Sequence, residues 1–110
     1  MESLRKKADF SKTYRFGKQF RTTNFTIKAL QTNTEVLKLA IVIPKSVSKK
    51  AVVRNRARRR VREIIKKNSA LAATNYFVIV NVYSDLSGVN AVELEKIIVE
   101  SFQKLHIFSS

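Results

Sequence analysis

Side chains able to do covalent or metal chemistry are scarce in this chain. Cysteine is absent, which excludes disulfides, thiolate nucleophiles and every cysteine-based zinc or iron–sulfur site. The single histidine, His106, builds no multi-histidine metal site and reads as a surface or helix-end residue. A Ser-His-acid triad would have to use it, and no spacing advertises its partners. Glu93 and Glu95 stand two apart on a helical segment, so they point to different faces and share no substrate. Two glycines form no phosphate-cradling loop. The expectation is a protein with no catalytic residues, no metal ligands and no cofactor of its own.

Cations are the abundant chemistry. The chain carries 22 Lys and Arg against 8 Asp and Glu, a net charge of +14 on 110 residues. Residues 1–28 hold +6, residues 29–44 are neutral, residues 45–67 hold +10 and residues 68–110 hold −2. Within residues 54–62 all six cations are Arg: Arg54, Arg56, Arg58, Arg59, Arg60 and Arg62. A merely solvated helix face mixes signs, because like charges at i,i+4 repel by a few tenths of a kcal/mol. Plain solubility is served equally well by Lys, whereas the guanidinium fork suits bidentate phosphate contacts. A nucleic-acid surface is therefore favoured over an anionic membrane or an acidic protein. With about 8 phosphates neutralised, log K against log salt would slope by roughly −6 to −7.

These groups need elements to hold them, and periodicity supplies most of the boundaries. Residues 8–15 can form a short helix with Phe10 and Tyr14 on one face, and Gly17 turns the chain. Residues 24–30 alternate, with Phe25, Ile27 and Ala29 on one side and Asn24, Thr26 and Lys28 on the other. The polar segment 31–35 reads as a hairpin connection to a second strand, 36–43, closed by Pro44. Ser48 is the expected N-cap of a helix running to about Lys67. Its apolar stripe is Val53, Ala57, Val61, Ile64 and Ile65; Arg59, Arg62, Glu63 and Lys66 lie opposite, with Arg56 and Arg60 along one flank. Residues 76–83 are apolar on both faces, as a central strand would be. A turn at residues 85–88 leads to a last helix, 91–105. Phe16 and Phe20 are expected to pack inside.

Length and composition frame this as one α+β domain over residues 1–110, with helices against a sheet. At 45% hydrophobic residues it is a globular domain, not a disordered basic tail. No apolar run approaches ~18 residues, and residues 1–10 lack the apolar stretch of a secretory signal. A soluble cytoplasmic protein is the expectation.

The stretch from Lys45 to Glu63 reads K-S-V-S-K-K-A-V-V-R-N-R-A-R-R-R-V-R-E. Its Ala51-Val52-Val53-Arg54-Asn55-Arg56 core resembles the RNR signature of the bacterial ribonuclease P protein component. The resemblance covers nearly the whole chain: Asp9-Phe10 with Tyr14 and Gly17, the strand leading into the basic helix, the later strand and the closing amphipathic helix occur in order. It implies an α-β-β-β-α-β-α domain with a four-stranded sheet and a left-handed βαβ crossover, residues 19–22 supplying the extra strand. It also implies the protein subunit of a ribonucleoprotein endonuclease that hydrolytically removes 5′ leaders from precursor tRNA. The RNA subunit would hold the magnesium ions and do the chemistry, with one protein per RNA.

Two surfaces follow from the resemblance. Lys45, Lys49, Lys50, Arg54, Asn55, Arg56, Arg58, Arg59, Arg60 and Arg62 match the part facing the catalytic RNA. Asn55 would read a base edge or fix the arginine geometry; a cap or local structural amide is the plainer alternative. Phe10, Tyr14 and Lys28 match positions that contact the leader, although helical spacing alone favours Phe10 and Tyr14 as core. The sequence departs from the family at Lys45-Ser46, where a Lys pair is common, and at Asn81-Val82-Tyr83, where Arg or Lys often stands. The other readings are a structural ribosome-type RNA-binding protein and a DNA-binding module; an almost all-Arg helix lacks the short polar readers a major groove needs.

Overall fold

Alternation in the third strand orients the whole sheet. Phe25, Ile27 and Ala29 are buried on one face while Thr26, Lys28 and Leu30 face the other way, half-buried. The computed structural model describes residues 1–109. Its elements are β1 (Glu2–Ser3), α1 (Lys7–Phe16), β2 (Lys18–Arg21), β3 (Phe25–Gln31), β4 (Lys38–Val42), α2 (Ala51–Lys67), β5 (Tyr76–Val82) and α3 (Ala91–Lys104), with one 3-10 turn at Ser69–Leu71. They make a single α+β domain with one mixed sheet in the order β1-β4-β5-β3-β2.

Two expectations about the sheet are corrected. Segment 31–35 closes no hairpin, because β5 stands between β3 and β4, antiparallel to the first and parallel to the second. β5 is the strand with the longest unbroken buried run, Phe77 to Val80, so burial places it centrally and outweighs sequence proximity. The sheet also has five strands where four were expected. The fifth, β1, pairs parallel with β4 over two residues, too short for any periodicity to announce it.

One face of the sheet is sealed by α2 and α3. Ala57, Val61 and Ile65 of α2 and Leu94, Ile98 and Phe102 of α3 pack on Phe25, Ile27, Leu39, Ile41, Val78 and Val80. The other face is only partly covered: Phe10 of α1 and Leu4 pack on Ala40, Phe77 and Ile79. α1 reaches the sheet closely at its end, where a Cβ on Gly17 would stand 2.5 Å from the Thr13 carbonyl oxygen and 3.0 Å from that of Ala29. Ser48 is not the cap of α2. Lys50 holds that position, and the Ser48 hydroxyl accepts the Lys50 N–H in the loop just before it.

Phe20 packs against the core as expected, but Phe16 is 65% exposed and carries the Arg15 guanidinium over its ring. It ends α1 on the side turned away from the sheet. His106 lies just past α3 with φ 61°, in the left-handed region. Ile107 N–H reaches the Phe102 carbonyl and His106 N–H that of Gln103, a Schellman closure with an unusual residue at the glycine position.

Candidate nucleic-acid interface

The amphipathic pattern of α2 divides its surface between core and solvent, and its arginines divide further by what they bond. Arg56 and Arg59 are exposed, and Arg62 is half-buried; none makes a hydrogen bond to another described residue. Arg54 donates from Nη1 to the Ser48 carbonyl at 2.8 Å, closing the loop ahead of the helix. Arg58 donates from Nη1 to Asn55 Oδ1 at 2.8 Å and from Nε to the Ile41 carbonyl at 3.4 Å. Asn55 Oδ1 thus holds one arm of the Arg58 fork, while its side-chain amide N–H groups make no hydrogen bond to another described residue.

The Ile41 bond completes a pattern. Along the outer edge of β4 the Leu37 and Leu39 carbonyls accept from Glu2 and Leu4 N–H groups. Ile41 is the next outward carbonyl, beyond the reach of β1, and Arg58 satisfies it. Arg60 differs from its neighbours. Its Nη1 donates to the Leu86 carbonyl and its Nη2 to that of Val89, both at 2.7 Å, tying α2 to the loop before α3. The loop, not the solvent, receives this fork. Lys45, Lys49 and Lys50 are exposed on the segment leading into α2. The described residues contain a single ion pair, Lys67 with Glu95 at 3.2 Å, so nearly all the cations lack a carboxylate partner. The Asn68 amide, followed by the Lys67 ammonium, holds the Glu95 carboxyl below its ordinary range.

Across the sheet, the three predicted leader residues divide between core and surface. Phe10 is half-buried in the cluster under α1, with its ring 6.4 Å from that of Tyr14. Tyr14 is 41% exposed, and its hydroxyl donates to Asn81 Oδ1 at 2.8 Å, across the gap between helix and sheet. Lys28 is half-buried, opposite Ile79 in the β3–β5 ladder. Arg21, Thr26 and Asn81 stand in one cross-strand row on this same face, with Val42 beside Asn81. Arg21 of β2 places its guanidinium 5.6 Å above the centre of the Tyr83 ring. Sequence reasoning named Asn81 only as a departure from the family and did not single out Arg21; a polar side chain inside an otherwise apolar strand was the available signal for the first.

A surface cavity of about 610 Å³ lies elsewhere, between residues 71–73 and the chain after α3. His106 is the one ionisable side chain lining it. No helix among the described residues is long and apolar enough to cross a membrane.

A family model described as "Ribonuclease P" matches residues 1–106. The chain belongs to the ribonuclease P protein family. A ribonuclease P protein component from Pseudanabaena sp. (strain PCC 6903) is 36% identical over 92 residues, 83% of this chain and 79% of that protein. One from Clostridioides difficile (strain 630) is 34% identical over 67 residues, 61% of this chain and 58% of that protein. Among solved structures, the ribonuclease P protein of Thermotoga maritima superposes with a TM-score of 0.83 at 23% identity, covering 94% of this chain and 97% of its own. That of Staphylococcus aureus gives 0.86 at 19% identity over 99% of both chains. At these identities the structures speak for the fold.

Family membership sets aside the ribosomal and DNA-binding readings. As a ribonuclease P protein subunit, the chain partners the ribonuclease P RNA in a tRNA 5′-processing endonuclease whose catalytic role lies with that RNA. The arginine-rich face of α2 has the chemistry such a partner requires.

Proposed function

We propose that the two faces of the sheet divide the labour of the holoenzyme. The loop and helix bearing Lys45, Lys49, Lys50, Arg54, Arg56, Arg58, Arg59 and Arg62 hold the catalytic RNA, with Asn55 setting the Arg58 fork. The uncovered face beside α1, with Tyr14, Lys28 and Asn81, holds the single-stranded 5′ leader of precursor tRNA. The carrying observation is the asymmetry of the sheet: one face is sealed by two helices, while the other leaves aromatic and polar side chains open beside α1. Aromatic rings stack unpaired bases for ~1–3 kcal/mol each with little sequence demand, which suits leaders that differ between tRNAs. Phe10 acts beneath Tyr14 as the support of its ring. One protein serves one RNA in the cytoplasm, and the magnesium ions belong to the RNA.

Reconstitution tests this reading. The protein is added to a bacterial ribonuclease P RNA with precursor tRNA at low magnesium, and cleavage and binding are compared with mature tRNA. The expected result is faster cleavage and a preference for precursor. Arg56→Ala weakens RNA-subunit binding, whereas Tyr14→Ala mainly lowers the preference for precursor. Equal effects of the two substitutions on both readouts would remove the division of faces.

A further inference from the structure

We propose that Arg21, stacked on Tyr83, is a phosphate-binding site for the unpaired strand, at the end of the cleft away from α1. The inference rests on the cleft reading above and names a contact that reading does not contain.

The argument begins with register. Arg21 stands opposite Thr26, and Thr26 opposite Asn81, so the three cross the sheet in one row on the α1 face. Tyr14 bonds Asn81 from above. The row therefore runs from the Tyr14 ring at one end to the Arg21 guanidinium at the other. Two strand spacings, about 10 Å, separate Asn81 from Arg21 along it. Lys28 follows Thr26 by two residues on β3 and shares the face, so a second cation stands beside the row's centre.

The Arg21 end is built, not merely exposed. The Tyr83 hydroxyl donates to the Thr22 and Phe25 carbonyls, which fixes the ring against the β2–β3 turn. That ring, 40% exposed, offers its face to Arg21. Stacking occupies the flat face of a guanidinium and leaves its in-plane N–H donors free for a bidentate acceptor. Arg21 has no carboxylate within ion-pair distance among the described residues. A pre-set fork beside a second cation and two tyrosine rings suits the phosphodiester of a single strand, with bases on the rings and backbone on the cations.

The test uses the reconstituted holoenzyme and measures affinity for precursor and mature tRNA over a salt series. Arg21→Ala is expected to weaken precursor binding about tenfold, leave mature tRNA unchanged, and flatten the precursor salt slope by about 0.7. Arg21→Lys restores the salt slope but only part of the affinity, because the fork is lost. If Arg21→Ala binds precursor like the parent protein while Tyr14→Ala and Lys28→Ala lose the preference, this site is wrong and the cleft stands. An equal loss for precursor and mature tRNA also overturns it. If all three variants keep the full preference, the cleft reading falls and takes this site with it.

Discussion

Arg60 separates a structural arginine from an RNA-binding one on the same helix. Its two terminal nitrogens each donate at 2.7 Å to carbonyls of a loop that also anchors the buried Leu86 in the core. A hydrogen bond to a charged group contributes ~1.5–3 kcal/mol when well buried. Arg60 is half-exposed, so about 1 kcal/mol per bond is the reasonable figure after screening, or about 2 kcal/mol for the pair. Arg60→Ala should thus lower Tm of the free protein by about 8 °C. Arg60→Lys should recover little, since one ammonium cannot span both carbonyls as the fork does. Arg56→Ala is the control: exposed and unbonded, it should change stability by less than about 0.5 kcal/mol. The same control should weaken binding to ribonuclease P RNA and flatten its salt slope by roughly 0.7–0.9, which Arg60→Ala should not. Thermal unfolding of the free protein and salt-dependent RNA binding read the two effects. If Arg60→Ala melts with the parent and instead loses RNA affinity and salt slope as Arg56→Ala does, the sorting by hydrogen bonds is refuted.

Three further substitutions probe the frame around the interface. Gly17→Ala should destabilise by about 2 kcal/mol or more in urea unfolding, because its Cβ would meet two backbone carbonyl oxygens that cannot swing aside; a neutral result would mean that α1 shifts freely on the sheet. His106→Gly should stabilise by roughly 0.5–1 kcal/mol, since glycine adopts the left-handed closure of α3 without the Cβ penalty, and a loss in the same assay would contradict it. Glu95 has a depressed folded-state pKa, so its contribution is present above the unfolded carboxylate value and is lost as pH falls through the folded one. Urea midpoints from neutral pH down through the carboxylate range should therefore fall less for Glu95→Gln than for the parent.

Local pattern carried much of this structure. The face of β3 and the buried stripe of α2 follow directly from two- and 3.6-residue periods, because each element solves the same burial problem along its own length. The failures are non-local. A polar link of five residues between two strands favours a hairpin, and only the apolarity of β5 on both sides argued that it would insert between them. β1 exists because β4 offers it an edge, which its two residues cannot declare. Arg60 looked like its neighbours because its partners lie 26 and 29 residues away. Tyr14 and Lys28 were named as a pair through the family motif, whereas Arg21 came into view only through cross-strand register and the position of Tyr83. Phe16 misled because hydrophobicity was taken for burial, although its side chain lies on the exposed side of the helix end.

The arginines of α2 also explain how one helix can be dense in charge and still fold. Acid partners are nearly absent, so the helix does not neutralise itself by ion pairs. Instead, Arg54, Arg58 and Arg60 bond backbone carbonyls of the preceding loop, the β4 edge and the loop before α3. The Leu86 carbonyl also accepts the Val89 N–H, whereas the others have no ladder partner, so the cations serve the fold before any RNA arrives. A guanidinium has five donors; Arg54 uses one and Arg58 two, which leaves the rest for phosphate. Arg54 and Arg58 are therefore held in place in the free protein. Ordering a long side chain on binding costs ~0.5–1.5 kcal/mol, and these two have met part of that cost already. Arg56 and Arg59 carry equal charge without such bonds, so on the proposed interface the bonded pair would bring geometry and the unbonded pair long-range attraction.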